Sequence, residues 1–503
     1  MGPQIDLSVP GGIALALLPE LFLTAWVLIV MALIAWRHRT ADDQELVGHV
    51  TLAGLVITLA LVIALWVRDA EPAGLPITIA LDGYRFAAST VFLIGGILAV
   101  LLSLGYLGRE RIVVPEYYLL MLLAVVGMMF MGNGQDLVII FIGLELMSVA
   151  VYVLAGINRR SVFAAEAALK YFLLGAFASG FLLYGIALIY GATGSTDLTF
   201  IHLQLLQQAD ASGGMLAFGV GMLLIGFAFK VAAVPFHMWT PDVYDGAPTP
   251  VTAFMAAAVK AAAFVALARI LFYALAPAQD LWVGALWWLA VITMAVGNLV
   301  ALAQRNLKRM LAYSSIGHAG YLLVALASGG GLGAAALLLY VLVYTLMTVG
   351  AFAVLGALGR GGERNVAIDD LNGLGTRRPW LAFAMAVFML SLLGFPGTAG
   401  FIGKWFILQA AVDADQTMLA VVLVGASVVS AGYYLPVIMA MYMKPAESET
   451  AHEEVDVRGA ARWVVAATAV LLLLFGVWPN RLLDAARHEG ESLRPAISIT
   501  VSR

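Results

Sequence analysis

Apolar residues along this chain come in long unbroken runs, without the alternation of half-buried strands or the three-and-four spacing of surface helices. Fourteen runs are long enough to cross a bilayer as helix, at about 13–36, 47–68, 85–107, 115–132, 136–156, 163–190, 213–240, 250–273, 280–303, 310–328, 331–357, 380–408, 417–443 and 463–479. A span takes roughly 17–25 such residues. The pattern predicts an all-α polytopic membrane protein of about fourteen transmembrane helices, with no separate soluble domain. The longest polar stretches, 358–379 and 444–462, read as loops beside the bilayer. Within the loop 191–212, "FIHLQLLQQ" predicts a short surface helix. "SGGGLG" at 328–333 lacks the preceding strand and glycine spacing of a dinucleotide-binding turn, so it predicts a tight interhelical turn.

Composition narrows the class. Of 503 residues, 62% are hydrophobic and only 12% charged, against about a quarter charged in soluble domains. A net charge of −4 offers nothing to nucleic acid. The chain has no cysteine, which excludes disulfides, thiolate zinc sites, cysteine-ligated iron–sulfur clusters and thioether-bound haem. Any electrons in the system therefore travel elsewhere. No basic residue precedes Arg37, and the first apolar run exceeds a signal-peptide core, so it reads as a retained helix.

Loop charges predict orientation. Arg37, Arg39, Arg109, Arg111, Arg159, Arg160, Arg305, Lys308, Arg309, Arg360, Arg364, Arg377, Arg378, Lys444, Arg458 and Arg462 all follow odd-numbered spans. Loops after even-numbered spans are nearly free of basic residues; Arg68, Arg85 and Arg269 near helix ends are the exceptions. Odd loops are then cytoplasmic and both termini lie outside.

The lysines change the picture again. Of six in the chain, Lys170, Lys230, Lys260 and Lys404 fall inside spans, where each costs roughly 2.5–3.5 kcal/mol at mid-helix. Glu145 and Glu166 are the acidic company, and Glu166 stands four residues before Lys170, on the same helix face. Bland readings exist: a Glu166–Lys170 pair at a helix end, an interfacial His237, a hydrogen-bonded core His318, an inert Glu20. Snorkelling explains Lys230 and Lys404 poorly, because both lie far from the headgroups by residue count. A desolvated lysine can release its proton and a nearby carboxylate can restore it, whereas arginine holds its proton at any physiological pH. No arginine sits in the middle of a span. The choice of lysine favours proton relay over static pairing.

Prolines sharpen this. Pro235 follows Lys230 by five residues, and Pro396 with Gly397 precedes Lys404 by eight and seven. Broken helices beside buried ionisable groups are the usual membrane signature of an ion site. Spans seven and twelve are thus predicted to be broken equivalents five helices apart, with lysine and proline in reversed order, as an inverted five-helix repeat would produce.

"FAFKVAAVPFHMWTPDVYDGAPTPVTAFMAAAVKAAAF", "FIGLELMSVAVYVL" and "YSSIGHAGYLL" strongly resemble the antiporter-like subunits of complex I, the proton-translocating NADH:quinone oxidoreductase. The resemblance covers about residues 115–445. "GFPGTAGFIGKW", with its lysine, resembles the subunit N branch, related to mitochondrial NADH dehydrogenase subunit 2. The resemblance implies two inverted five-helix repeats, at 115–275 (helices 4–8) and 276–445 (helices 9–13), after three N-terminal helices (1–114) and before helix 14 and a tail (446–503). It implies that Glu145 pairs with Lys230 as a gating ion pair, tuned or fed by Lys170 and His237. Lys260 would bridge to the centre, His318 continue the polar axis, and Lys404 close the path. It also implies a bacterial inner-membrane location beside other membrane subunits, especially M and K. This chain would bind no cofactor; NADH, FMN, iron–sulfur clusters and quinone would belong to other subunits. The alternatives are a subunit of a multisubunit sodium/proton antiporter or membrane-bound hydrogenase, and a lone solute transporter, for which no recognition cluster is visible.

Overall fold

Every regular element among the described residues is helical, and the β-structure is limited to three isolated bridges. The computed structural model describes residues 10–37, 40–67, 79–207, 213–359, 367–445 and 459–493. Arg39, Arg68, Arg360, Arg364, Arg458 and both chain ends lie outside them.

A short helix, Pro10–Ala16, leads into α1 (Leu18–Trp36), followed by α2 (Ala41–Trp66) and α3 (Gly83–Arg109). Then come α4 (Glu116–Asn133), α5 (Leu137–Ala155) and α6 (Val162–Thr193). The broken α7 has halves α7a (Gly214–Val231) and α7b (Thr240–Gly246), and α8 spans Thr249–Ala274. α9 (Val283–Ala301), α10 (Leu307–Ser328) and α11 (Gly330–Leu358) precede the broken α12, with halves α12a (Pro379–Leu393) and α12b (Ala399–Asp413). α13 (Thr417–Met443), α14 (Ala460–Val477) and a short α15 (Asn480–Glu491) complete the described chain. Among the described residues thirteen helices are long and apolar enough to span, and the two halves of α12 would supply a fourteenth crossing.

Capping residues set where these helices begin. Asp82, Asp136, Ser161 and Asn306 each accept from a backbone N–H in the first turn of α3, α5, α6 and α10, satisfying donors that have no intrahelical partner. Close pairs form where glycine lets backbones meet. A Cβ on Gly143 of α5 would lie 2.5 Å from the Met131 nitrogen of α4, and one on Gly297 of α9 would lie 2.5 Å from the Gly317 nitrogen of α10.

The order helix, helix, long helix, broken helix, helix occurs twice, in α4–α8 and in α9–α13. A small detail repeats with it. Asp136, the N-cap of α5, bridges Asp197 after α6, and Asn306, the N-cap of α10, bridges Ala367 after α11. An offset of five crossings is odd, so equivalent elements run in opposite directions through the bilayer. α8, α10 and α11 are almost wholly enclosed, whereas α1, α6, α13 and α14 expose residues such as Phe172, Phe177 and Val428. In α8 two turns are π-helical, Met255–Val259 and Ile270–Ala274.

Several boundaries differ from the sequence reading. The first span is interrupted at Leu17, and the seventh stops at Val231 instead of 240. The loop helix forms at Leu198–Gln207, but it buries Leu198, Ile201, His202 and Leu205 and so is only partly a surface element. Gly329 and Gly330 make the predicted turn with φ of 66° and 63°. The amphipathic α15 was not foreseen, although Leu482, Leu483 and Ala486 carry its helical spacing.

Candidate functional site

Lys230 occupies the last turn of α7a, where the helix stops as Ala232 turns left-handed at φ 62°. Residues 232–239 are not helical. The break is lined by protein: Trp239 Nε1 donates to Phe229 O at 3.0 Å, and Val234 N donates to Thr293 Oγ1 at 3.0 Å. The indole also stacks on Tyr171, 4.3 Å between centroids. Pro235 lies exposed in this break and His237 half-buried beside it.

The Lys230 ammonium is buried and donates to Ser148 Oγ at 2.7 Å and Tyr152 OH at 2.8 Å. Glu145, Ser148 and Tyr152 stand at i, i+3 and i+7, one face of α5. Glu145 is half-buried and accepts from Ser179 Oγ of α6 at 2.5 Å. The expected direct Glu145–Lys230 ion pair is therefore not formed. The two hydroxyls reach Nζ first, and Glu145 sits toward the outer flank of α5, beside exposed Ile142 and Val149.

Lys170 is also placed differently from expectation. Its side chain is 40% exposed and bonds Glu166 at 2.6 Å and Asp242 of α7b at 2.7 Å. Arg309 joins from α10, at 3.1 Å from Asp242 and 3.6 Å from Asp245. Glu166, Asp242, Asp245, Arg309 and Arg160 line an open cavity of about 630 Å³. Burial pushes the Asp242 carboxyl up, but hydrogen bonds from Lys170 and Arg309 outweigh it and hold the group below its ordinary range. The network lies at a helix-end mouth, apart from the buried Lys230.

The second half is enclosed. Lys260 follows the first π-turn of α8 directly and donates to the carbonyl and hydroxyl of Ser315 on α10, at 2.8 and 2.5 Å. His318 lies three residues on, buried. Its Nδ1 shares a hydrogen bond with Tyr340 OH at 2.7 Å, and its Nε2 with Tyr434 OH at 3.0 Å. Tyr434 OH is bonded in turn to the Ser314 hydroxyl. Tyr321 packs edge-on against His318, centroids 5.2 Å apart, and carries the Lys404 ammonium over its ring at 4.6 Å.

Lys404, on α12b, is buried and donates to Leu393 O at 2.9 Å, the last residue of α12a. Gly394 and Gly397, at φ 86° and 87°, turn the chain around Pro396 between the halves. Both Lys230 and Lys404 thus stand at the C-terminal end of a half-helix, where the backbone carries partial negative charge. Lys230 belongs to the half at whose end it stands, whereas Lys404 reaches across from the other half. That, and not inversion of the repeats, accounts for the reversed order of lysine and proline, because inversion changes direction through the bilayer and leaves the order along the chain unchanged.

Chemically, the arrangement alternates ammonium or imidazole groups with hydroxyls that can both donate and accept, the inventory of a proton wire. Ser148, Tyr152, Ser315, Tyr321, Tyr340 and Tyr434 were missed as candidates. Four of them stood in plain sight as polar positions on the apolar stretches "FIGLELMSVAVYVL" and "YSSIGHAGYLL". Away from this axis, Glu20 has a structural place: buried Arg85 donates to it at 2.7 Å and Asn133 at 2.9 Å. Arg269 makes a paired contact with Asp82 at 2.6 and 2.9 Å. Among the described residues no cluster of His, Asp and Glu could hold a metal ion.

A family model described as NADH:quinone oxidoreductase/Mrp antiporter, TM, matches residues 134–430. The NADH-quinone oxidoreductase subunit N of Gemmatimonas aurantiaca is 49% identical over 505 residues, covering 97% of this chain and 96% of its own. The chain belongs to the subunit N family. A chain of respiratory complex I from Thermus thermophilus, solved with bound aureothin, superposes with a TM-score of 0.78 at 38% identity, covering 93% of this chain and 99% of that one. A chain of the Mrp complex from Dietzia sp. DQ12-45-1b reaches a TM-score of 0.79 at 24% identity, covering 95% and 97%. That second likeness is one of fold alone. In this subunit N family member the quoted motifs all fall on the elements that form the buried axis.

Proposed function

We propose that this chain is a proton-translocating membrane-arm subunit of complex I, moving protons through buried Glu, Lys and His groups while NADH reduces quinone elsewhere in the complex. One observation carries the reading: in the enclosed centre Lys260 bonds Ser315, hydrogen bonds join the neighbouring Ser314 to Tyr434, His318 and Tyr340, and Lys404 lies over Tyr321, which packs on His318. Glu145 with Lys230 forms the first proton-loading group without a direct pair: Lys230 donates to Ser148 and Tyr152, and Glu145 accepts from Ser179. Lys170 with Glu166, and His237 in the α7 break, serve entry to it. Pro235, Pro396 and Gly397 keep the helices open at the two lysines. The repeats are assigned to 115–275 and 276–445, between N-terminal helices at 1–114 and the segment 446–503.

The chain has no cofactor of its own in this reading; NADH, FMN, iron–sulfur clusters and quinone belong to other subunits. Its partners are the neighbouring membrane subunits, M and K in particular, in the bacterial inner membrane. Loop charges support termini on the periplasmic side. The test is NADH-driven proton pumping in inverted membranes from a strain lacking this chain, complemented with the parent or with Lys230→Met. The parent should restore pumping and Lys230→Met should assemble without doing so. Normal pumping by Lys230→Met overturns the relay. Purification with sodium/proton antiporter proteins, without NADH–quinone activity, assigns the chain to that assembly instead.

A further inference from the structure

The three N-terminal helices lie outside both repeats, yet α3 packs along α8 and meets the π-turn that precedes Lys260. A Cβ built on Gly95 of α3 would fall 2.7 Å from the Cβ of Ala258, 3.5 Å from its Cα and 3.6 Å from Thr345 Cγ2. Ala258 sits in the π-turn Met255–Val259 of α8, and Lys260 is the first residue of the α-helical segment after it. A π-turn holds one residue more than an α-turn, so its loss or displacement rotates the helix beyond it by up to about 100°. Lys260 would then swing away from Ser315, the residue that accepts both of its hydrogen bonds. The equivalent helix of the second repeat, α13, is α-helical throughout and carries no lysine within its span. An Ala258 methyl cannot bend aside as the tip of a long side chain can, so the contact tolerates no added atom.

We propose that Gly95 is a positioning residue for Lys260: by leaving room for Ala258 it lets the π-turn hold the ammonium on Ser315, which makes α3 part of the proton-transfer machinery. This rests on the relay reading of Lys260. The groups around the ammonium come from α10, through Ser315 and His318, from Tyr244 of α7b and Tyr344 of α11 beside Ser315, and from Lys404 of α12b beyond the imidazole.

The test compares Gly95→Ala, Gly95→Ala with Ala258→Gly, and Gly105→Ala, whose added methyl meets nothing within 4 Å. Pumping and quinone reduction are measured per assembled complex in native membranes, across a pH series. Gly95→Ala should lower both rates by on the order of tenfold, as a small misplacement of a reacting group does, and should displace the pH optimum. Ala258→Gly should return rate and pH profile toward the parent, and Gly105→Ala should match the parent throughout. Parental rates for Gly95→Ala, or a defect that Ala258→Gly does not relieve, including simple failure to assemble, overturn the inference. Lys260→Met in the same series separates the two readings. If it pumps normally the relay itself is wrong; if it stops pumping while Gly95→Ala does not, only the positioning role is lost.

Discussion

Replacing Lys404 with arginine separates a fixed buried charge from a releasable proton. The ammonium donates to Leu393 O at 2.9 Å, a bond to a charged donor contributing about 1.5–3 kcal/mol. A guanidinium can make the same bond. It also has room, since a cavity of about 460 Å³ lined by Leu393, Phe395, Trp405 and Ser427 opens beside Lys404. Lys404→Arg should therefore assemble. Release of the proton is another matter. The ordinary pKa values of lysine and arginine differ by about 2–3 units, so the deprotonated fraction falls by about 10²–10³ and the barrier to release rises by about 3–4 kcal/mol. If Lys404 must give up its proton in each cycle, pumping should fall by at least about a hundredfold, with coupled quinone reduction falling beside it. Lys404→Met offers the complementary control. It strands the Leu393 carbonyl, at about 1–3 kcal/mol, but removes a buried charge whose desolvation costs several kcal/mol. It too should assemble and not pump. The assay is proton uptake and NADH:quinone reductase rate in inverted membranes at equal complex abundance. Parental rates for Lys404→Arg would refute the relay role and leave the lysine as a structural cap on α12a.

Other parts of the structure carry three further expected outcomes. Arg85→Leu strands the buried Glu20 carboxylate, which should cost about 3–5 kcal/mol and deplete assembled subunit in membranes; Glu20→Leu added to it should restore much of the loss, and no restoration would contradict the pairing. Tyr152→Phe keeps the ring 4.9 Å from the Lys230 ammonium and removes only the hydroxyl. It should slow pumping about tenfold, less than the 10²–10⁴ of a full acid–base group because Ser148 remains; an unchanged rate shows that the Tyr152 hydroxyl takes no part in transfer at Lys230. Asp242 has its carboxyl held low by Lys170 and Arg309, so its stabilising contribution is present above the ordinary carboxylate pKa of about 4 and is lost as pH falls through the lower folded value. The melting temperature of the assembled complex should drop across that acidic window, and Asp242→Asn should flatten the drop. An identical acid profile for the variant would show that the network does not stabilise the mouth.

The crossings themselves were legible because a bilayer leaves little choice. With no water to satisfy peptide groups, a long apolar run must be helix, and among the described residues thirteen of the runs form helices long and apolar enough to span, the other forming the two halves of α12. Pro235 and Pro396 with Gly397 marked the two broken helices for the same reason, since interrupted backbone in lipid needs a cavity to line. The cost of a buried ammonium singled out Lys170, Lys230, Lys260 and Lys404 from the sequence; the last three are buried, and Lys170 is not. What the chain could not reveal was which way each helix turns its side chains. On α8, α10 and α11 nearly every face is covered, so apolar residues surround the helix and no stripe points to the partner. Only packing decided that Lys230 meets Ser148 and Tyr152 before Glu145, that Lys170 stays at the open mouth with Asp242, and that Lys404 reaches back to Leu393. Packing also brought Glu20 to Arg85 and Asp82 to Arg269 across long stretches of chain. Spacing within one helix predicts neighbours three and four residues apart; contacts between helices depend on rotation and depth, which arise only when all the crossings are packed together.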